Sequence, residues 1–319
     1  MSQYTEQTSL LAVIREADKP RSLRSVWRQH WLLYAMLVPA LIQLILFNVL
    51  PLWGIAIAFV DFNPIKGLSG SPYVGLTYFQ QMFTMREFWP IVRNTIFIAV
   101  NKIIWGQFAA VTFALMLHEV RWQPFRRVVQ TLTTLPNFLS WVIVGGILLE
   151  VLSVTGIVND LLQGLGFAPV KFFANPALFP WTLIISDVWK GFGFGAIIYL
   201  AALTAISPEL YEAAAVDGAG RWARLWHITL PGIAPTIVLL SCLSLGSILS
   251  AGFDQILILQ NPLVYSTGDV LDTFVYRQGI LRANYSLSTA VGLVKSLVGF
   301  VLVLVSWWLA GKYANYRVF

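Results

Sequence analysis

The chain has 319 residues, of which 57% are hydrophobic, 14% aromatic and 11% charged, and its mean hydropathy is +0.71. Soluble domains carry about 25% charged residues, so this composition excludes an ordinary soluble fold and predicts a polytopic membrane protein. The net charge of +6 does not indicate nucleic-acid binding, because the Lys and Arg residues cluster beside apolar segments and form no basic helix or RNA-binding module.

Six apolar runs are long enough to cross a hydrocarbon core, which needs about 20 residues per helix. We therefore predict an all-α integral membrane protein with six transmembrane helices. In chain order, the predicted spans are 32–59, 91–117, 128–152, 179–203, 232–258 and 287–311. The polar, basic N-terminus shows no cleavable signal, so the first span is expected to insert as an uncleaved anchor. The predicted domains are an N-terminal arm (1–30), a six-helix membrane domain (31–312) and a tail (313–319).

The distribution of Lys and Arg predicts the orientation of the spans. Segments on one side contain Arg15, Lys19, Arg21, Arg24, Arg28, Arg121, Arg126, Arg127, Arg221, Arg224, Lys312 and Arg317; segments on the other contain Lys66, Arg86, Lys171, Arg277 and Arg282. Because cytoplasmic loops carry the excess of positive charge, both termini are expected in the cytoplasm. The opposite connections, 61–90 and 153–178, are rich in turn residues and read as surface loops with a short lying helix.

A polar segment, 204–231, separates the fourth and fifth spans and is expected to be cytoplasmic. Its Ser207-Pro208 pair predicts a helix start, because a hydroxyl caps free N–H groups and proline lacks one. Asp217-Gly218 predicts the end of this helix, and a second short helix is expected over 221–229. Two interpretations follow from the residues alone: a knob that docks into a partner, or an interfacial helix anchored in lipid headgroups by its tryptophans.

The string EAAAVDGAGRWARLWHITLPGIAP within and after this segment resembles the EAA signature of binding-protein-dependent ABC importer permeases. Further stretches resemble the branch of that superfamily that serves oligosaccharides and uronates. They are Arg93-Asn94-Thr95, QTLTTLPNFLSW (130–141), YLAAL (199–203), GFDQI (252–256) and LDTFVYR (271–277). The resemblance covers about residues 31–300. Segment 204–231 is called the coupling segment from here on.

The resemblance implies a complex in a bacterial cell inner membrane. Its expected partners are a second, homologous permease, two cytoplasmic ATPase subunits, an extracytoplasmic solute-binding protein, an oligosaccharide and the lipid bilayer. It implies that this chain binds no cofactor, while ATP with Mg is hydrolysed by the ATPase subunits. It also implies the residues that contact the ATPase: Glu212, Ala213, Ala214, Asp217, Gly218 and Ala219.

Ionisable residues at membrane depth cost about 2.5–3.5 kcal/mol each on insertion scales, so they are expected to face the bundle interior, water or each other. They are Lys102, Glu150, Asp187, Lys190, Asp254 and Lys295. Asp187 and Lys190 are three residues apart on one predicted helix and are expected to pair locally. The alternative to mutual neutralisation is a polar substrate pathway, for which Trp189, Lys190, Asp254 and Gln255 are the candidates. The lysines suit a uronate, but the matching number of acidic residues weakens that inference.

No residue pattern indicates catalysis or a metal site. GFGFGA (191–196) matches a dinucleotide fingerprint only formally, because it lies inside a predicted span with no preceding strand. Gly191 and Gly195 instead form a small-residue pair that predicts close helix approach or a flexible point. The rival functions are an ion-coupled secondary transporter, which the lack of internal repeats disfavours, a membrane binding or signalling protein, and a membrane enzyme.

Overall fold

The computed structural model describes residues 23–313, and the predicted arm 1–22 and tail 314–319 lie outside this part. The chain divides into two units, Met1–Ile55 and Ala56–Phe319. Between residues 23 and 313 the structure is helical, apart from one antiparallel bridge between Val60 and Tyr73. The predicted all-α class is therefore confirmed.

The described part of the first unit, 23–55, is helical throughout: α1 (Leu23–Leu44) continues through a π-helical turn (Ile45–Val49) into 3-10 geometry (Leu50–Phe59), whose last four residues belong to the second unit. Its apolar portion, Trp31–Phe59, is long enough to cross a bilayer and corresponds to the predicted span 32–59. Side chains from 31 to 53 are exposed, as expected of a helix whose surroundings are apolar.

The second unit contains twelve further helices in the described residues. They are α2 (Thr77–Thr84), α3 (Phe88–Glu119), α4 (Gln123–Phe138), α5 (Trp141–Val151), α6 (Ile157–Gly164), α7 (Phe179–Thr204), α8 (Pro208–Val216), α9 (Arg221–Leu245), α10 (Phe253–Leu259), α11 (Tyr265–Gly268), α12 (Leu271–Tyr276) and α13 (Tyr285–Tyr313). α2 and α6 are the short helices expected in the two turn-rich connections. α3, α7, α9 and α13 are each long and apolar enough to span a membrane, as is α1.

The third predicted span, 128–152, is not one continuous helix. α4 and α5 meet at a bend of 102°, so only the bent pair together makes a sixth candidate span. The break follows Pro136, and Leu139 and Ser140 are extended. The Ser140 hydroxyl then accepts a hydrogen bond from the backbone N–H of Ile143 at 3.4 Å and caps α5. The predicted span counted both halves as one apolar run, although α4 is clearly less apolar than α5 and contains Pro136 close to the break.

The fifth predicted span, 232–258, is wrong at both ends. The separate short helix expected over 221–229 is continuous with the span, since α9 runs from Arg221 to Leu245 through a π-helical turn at Leu225–Thr229. The span then ends at Leu245, and Gly252 adopts a left-handed conformation with φ +97° before α10 begins. Pro231 and Pro235 do not end the helix: Pro231 directly follows the π-helical turn, and Pro235 lies inside the helix.

The core of the second unit lies where α3 packs along α7, and α9, α10, α12 and α13 close around this pair. Apolar clusters fill it, with Ile98, Phe179 and Leu183 among the buried side chains. Gln107 of α3 adds a polar link: its amide donates to the Tyr199 hydroxyl at 2.9 Å and to the Ile237 carbonyl at 2.8 Å. Satisfied polar contacts between helices fix their register in an apolar medium.

The predicted close helix approach is present at Gly195 but not at Gly191, and the tightest contact lies between them, at Gly193. At Gly193, an added Cβ would clash with the backbone carbonyl of Thr133 on α4. A Cβ added to Gly195 would lie 3.3 Å from the Cβ of Ala110, whereas one added to Gly191 would meet open space. Gly193 is therefore the residue that lets α7 and α4 touch. The backbone of GFGFGA is helical throughout, which agrees with its dismissal as a dinucleotide site.

Candidate functional site

The coupling segment forms a helical hairpin between the fourth and fifth spans. α8 begins with Pro208 at its first turn and carries Glu209 there, where a carboxylate interacts favourably with the helix dipole. Ser207 occupies the capping position, but its hydroxyl forms no capping hydrogen bond, contrary to expectation. Proline supplies no N–H at this end, so fewer donors require a cap.

The end of α8 is a Schellman motif. Gly218 has φ +77°, its N–H bonds to the Ala215 carbonyl at 3.2 Å, and the N–H of Ala219 bonds to the Ala214 carbonyl at 2.8 Å. This pattern satisfies carbonyls at the helix end and turns the chain sharply towards α9. The sequence prediction of a glycine-terminated helix is confirmed in detail.

The hairpin is fixed to the membrane helices at its base. The Tyr211 hydroxyl of α8 lies 3.1 Å from the hydroxyl of Thr229, a buried residue at the start of the fifth span. Ile206 packs on Gly232, where an added Cβ would come within 2.7 Å of its Cδ1 atom. Ile206 and Ile233 also belong to the apolar cluster that joins the ends of α3, α7 and α9. A displacement of α8 is therefore transmitted to three spans.

The exposed tip of the hairpin contains the residues that the sequence assigned to ATPase contact. Glu212, Ala213, Asp217 and Gly218 are exposed, and Ala214 and Ala219 are half-buried. Val216 is 88% exposed. The tip carries small and acidic residues, and no large side chain covers them. The backbone of α8 is therefore accessible there to a groove on another protein.

A polar cluster lies at membrane depth between α3, α7 and the turn before α10. The ammonium of Lys102 donates to the Ala251 carbonyl at 2.7 Å and to the side-chain oxygen of Gln255, and lies 3.4 Å from Asp187. Lys102 is buried, whereas Asp187 is about one-third exposed. The expected local pair of Asp187 with Lys190 is not formed, because Asp187 points across to α3. A cavity of about 220 Å³ borders this cluster.

The four predicted pathway residues occupy different surroundings. Gln255 is completely buried. Its side chain accepts a hydrogen bond from Lys102 and donates one to the Leu183 carbonyl at 2.8 Å, so it holds the Lys102 ammonium in place. Asp254, one residue earlier, is exposed. Lys190 donates to the Asn137 carbonyl at 3.0 Å and lies over the Trp141 ring. Trp189 is half-exposed and borders an apolar groove between α3 and α7.

Lys295 also has a partner that the sequence did not identify. It pairs with Asp272 of α12, and Arg277 pairs with Asp269 while its guanidinium lies 4.6 Å from the Tyr265 ring centre. The hydrogen bonds that the Arg277 guanidinium donates to the Asp269 carboxylate raise the pKa of Arg277, which stays charged at any physiological pH. The cationic side chains of Lys102, Lys295 and Arg277 are thus each neutralised within the chain. Sequence spacing gave no signal for these pairs, since the partners lie on different elements.

The structure is a bundle of membrane helices with an exposed hairpin between its fourth and fifth spans. Because the hairpin is anchored at its base, it is a surface through which a second protein can act on the bundle. The sequence profile described as "Binding-protein-dependent transport system inner membrane component" matches residues 102–314. The chain therefore belongs to this family of ABC importer permeases. It is a multi-pass membrane protein and a non-catalytic subunit, and the ATPase of such a system is a separate chain.

Curated relatives agree over nearly the whole length. Protein LplB of Bacillus subtilis (strain 168) is 40% identical over 293 residues, which cover 92% of each chain. The polygalacturonan/rhamnogalacturonan transport system permease protein YteP of the same organism is 39% identical over 97% of this chain and 96% of its own.

Solved structures agree on the fold. A chain from a bacterial ABC transporter involved in the import of the acidic polysaccharide alginate matches with a TM-score of 0.84 and 37% identity, over 91% of this chain and 99% of that one. The same scores hold for a chain of a bacterial alginate ABC transporter in complex with an alginate pentasaccharide-bound periplasmic protein, over 93% and 99%.

Proposed function

We propose that this permease forms half of the translocation pathway for an acidic, uronate-containing oligosaccharide delivered by an extracytoplasmic binding protein. The observation that carries the proposal is the 37% identity, across nine-tenths of the chain, to a chain of an alginate importer. A second relative is named for polygalacturonan and rhamnogalacturonan, which are also acidic. Family membership removes the support for an ion-coupled secondary transporter or a membrane enzyme.

In this proposal the second half of the pathway comes from a homologous permease, and the cytoplasmic face binds two ATPase subunits. The coupling segment docks on an ATPase through Glu212, Ala213, Ala214, Asp217, Gly218 and Ala219. ATP with Mg binds to the ATPases, and closure of these subunits moves α8. Because Tyr211 and Ile206 fix α8 to the spans, that movement switches the bundle between two discrete arrangements.

The test of substrate class uses the whole complex in lipid vesicles with its binding protein. We expect galacturonate or mannuronate oligosaccharides to stimulate ATP hydrolysis and to be taken up, and neutral oligosaccharides of equal length to do neither. Stimulation by neutral oligosaccharides alone would contradict the acidic assignment. Uptake that persists when ATP hydrolysis is abolished by a variant of the ATPase would contradict the importer mechanism.

Docking is tested by co-purification of the ATPase with the tagged permease. Glu212→Ala at the tip is expected to release most of the ATPase. The matched control is Glu209→Ala, which removes the same charge from the first turn of α8 outside the proposed contact. Full retention of the ATPase by Glu212→Ala, or equal loss in both variants, would refute the assigned contact.

We also propose that the coupling segment and both termini lie in the cytoplasm. Cys242 is buried, so Cys242→Ser gives a background for a single cysteine at Val216, the highly exposed residue of α8. A membrane-impermeant maleimide should label Val216→Cys only when it is applied to inside-out vesicles. Labelling from the outside of intact cells would reverse the proposed orientation.

A further inference from the structure

α3 carries a stripe of aromatic and polar side chains, of which only Arg93 belongs to a stretch singled out in the sequence. Trp89, Arg93, Phe97 and Asn101 follow each other at intervals of four residues, so they lie along one side of the helix at about 6 Å per step. Trp89 is 59% and Phe97 42% exposed, and Arg93 is exposed between them. They line an open groove of about 510 Å³.

Arg93 differs from the other cations near the membrane. Lys102, Lys295 and Arg277 each have a carboxylate partner, and Lys190 is bound to the Asn137 carbonyl and the Trp141 ring. Arg93, in contrast, forms no ion pair with any of residues 31–309. Its neighbours Asn94 and Thr95 point inwards and bond to the 266–271 segment, which leaves Arg93 on the outer side of the helix. A charged guanidinium within an apolar span is costly unless water or an anion faces it.

The side chains that line the groove all belong to α3. A solute held there needs a second wall from another helix. In the proposed complex, the homologous permease across the pathway supplies it. Under the proposed orientation, α3 begins at the extracytoplasmic side, so Trp89 and Arg93 lie near the entrance where the binding protein releases its load.

From this arrangement we infer that the Trp89–Arg93–Phe97–Asn101 stripe is the part of the pathway that binds the acidic oligosaccharide. Arg93 is the residue that binds its carboxylate. The planar guanidinium donates two parallel hydrogen bonds to a carboxylate. The rings of Trp89 and Phe97 offer apolar faces on which sugar rings stack, and the Asn101 side chain supplies a polar group for hydroxyls. The inference rests on the proposed function and names the site within it.

Arg93 thereby replaces Lys102 and Lys295 as the residue that distinguishes a uronate from a neutral sugar. The sequence suggested those lysines as partners for a substrate carboxylate, but their ammonium groups are already paired with Asp187 and Asp272. A second anion at Lys102 would also face the carboxylate of Asp187. Of Arg93, Lys102 and Lys295, only Arg93 is exposed and without a carboxylate partner in the described residues, so it is the one that gains by binding an anion.

The test compares one oligogalacturonide with its methyl ester, which has the same rings but no charge. Uptake is measured in vesicles that contain the whole complex and excess binding protein loaded with either sugar. In wild type the acid is expected to be transported. Arg93→Gln should slow its uptake by about tenfold or more, the loss of one charge-assisted hydrogen-bond pair, and should leave uptake of any transported ester unchanged. Arg93→Lys should give an intermediate rate for the acid.

The matched control is Arg86→Gln, which removes the same charge from an exposed position just before α3 and should transport the acid like wild type. Equal rates for wild type and Arg93→Gln, or an equal fall in Arg86→Gln, would overturn the assignment. Loss of the partner permease or ATPase on purification of both Arg93 variants would overturn it too, because Arg93 would then be an assembly contact. If wild type transports no acidic sugar, the proposed function itself fails.

Discussion

Asp187 of α7 forms its ion pair with Lys102 of α3, at 3.4 Å, and not with Lys190 one turn further along its own helix. Lys190 instead reaches the Asn137 carbonyl at the α4–α5 bend. The pair therefore joins two spans, and the backbone carbonyl of Ala251 brings the turn before α10 into the same contact. The buried ammonium group of Lys102 thus links α3, α7 and the turn before α10.

Removing either partner of this pair should destabilise the complex. Lys102→Met and Asp187→Ala are each expected to lower the free energy of unfolding by about 1–3 kcal/mol, below the usual range for a buried pair because Asp187 is partly exposed. In the double variant, the loss should be clearly smaller than the sum of the two, since no uncompensated charge remains. Thermal unfolding of the purified complex measures all three. Additive losses would show that the two side chains do not interact.

Gly218 is expected to tolerate substitution poorly because of its backbone conformation. With φ +77° and nothing within 4 Å of an added Cβ, Gly218→Ala should cost about 1 kcal/mol from left-handed strain alone, and Gly218→Pro should disrupt the hairpin, since proline cannot adopt this φ. The control is Gly220→Ala, whose φ of −69° suits any residue. ATPase retention on co-purification should fall slightly in Gly218→Ala, strongly in Gly218→Pro and not in Gly220→Ala. Full retention by Gly218→Pro would show that the sharp turn is not needed for docking.

Tyr211 should link ATP hydrolysis to transport without being needed for docking. Tyr211→Phe removes the hydroxyl that contacts Thr229 at 3.1 Å, at a cost of about 0.5–1.5 kcal/mol. We expect the ATPase to remain bound and active while less solute is transported per ATP hydrolysed. Thr229→Val should have the same effect, and the double variant should be no worse than either single one. If Tyr211→Phe transports as much solute per ATP as wild type, the movement of α8 reaches the spans through the apolar contacts of Ile206 alone.

Gly193 and Gly191 provide a matched test of helix packing. Gly193→Ala places a methyl group against the backbone of Thr133, which is costly because the backbone cannot yield locally. We expect a loss of about 1–3 kcal/mol, seen as a lower unfolding temperature of the purified complex. Gly191→Ala meets open space and should change stability by about 0.5 kcal/mol or less. Equal effects of the two variants would contradict the close contact between α4 and α7.

The sequence by itself determined the membrane class, four of the six spans to within a few residues of their boundaries, and the end of the first hairpin helix at Gly218. These features depend on local properties: apolar length, proline and glycine geometry, and a long contiguous motif. The bend between α4 and α5 and the early end of α9 at Leu245 were decided only in the tertiary structure. The total apolar length of each predicted span was sufficient to cross a bilayer, and this measure does not register a bend at Pro136 or the glycine and serine residues after Leu245.

Charge pairing was also decided only by the tertiary structure. Spacing along one helix favoured Asp187 with Lys190, but a side chain in an apolar bundle pairs with whichever opposite charge the packing brings nearest. The same packing buried Gln255 and left Arg93 exposed, although both are polar residues in apolar surroundings. Sequence reports which groups must be compensated; the arrangement of the helices decides which of them remain free to bind a solute.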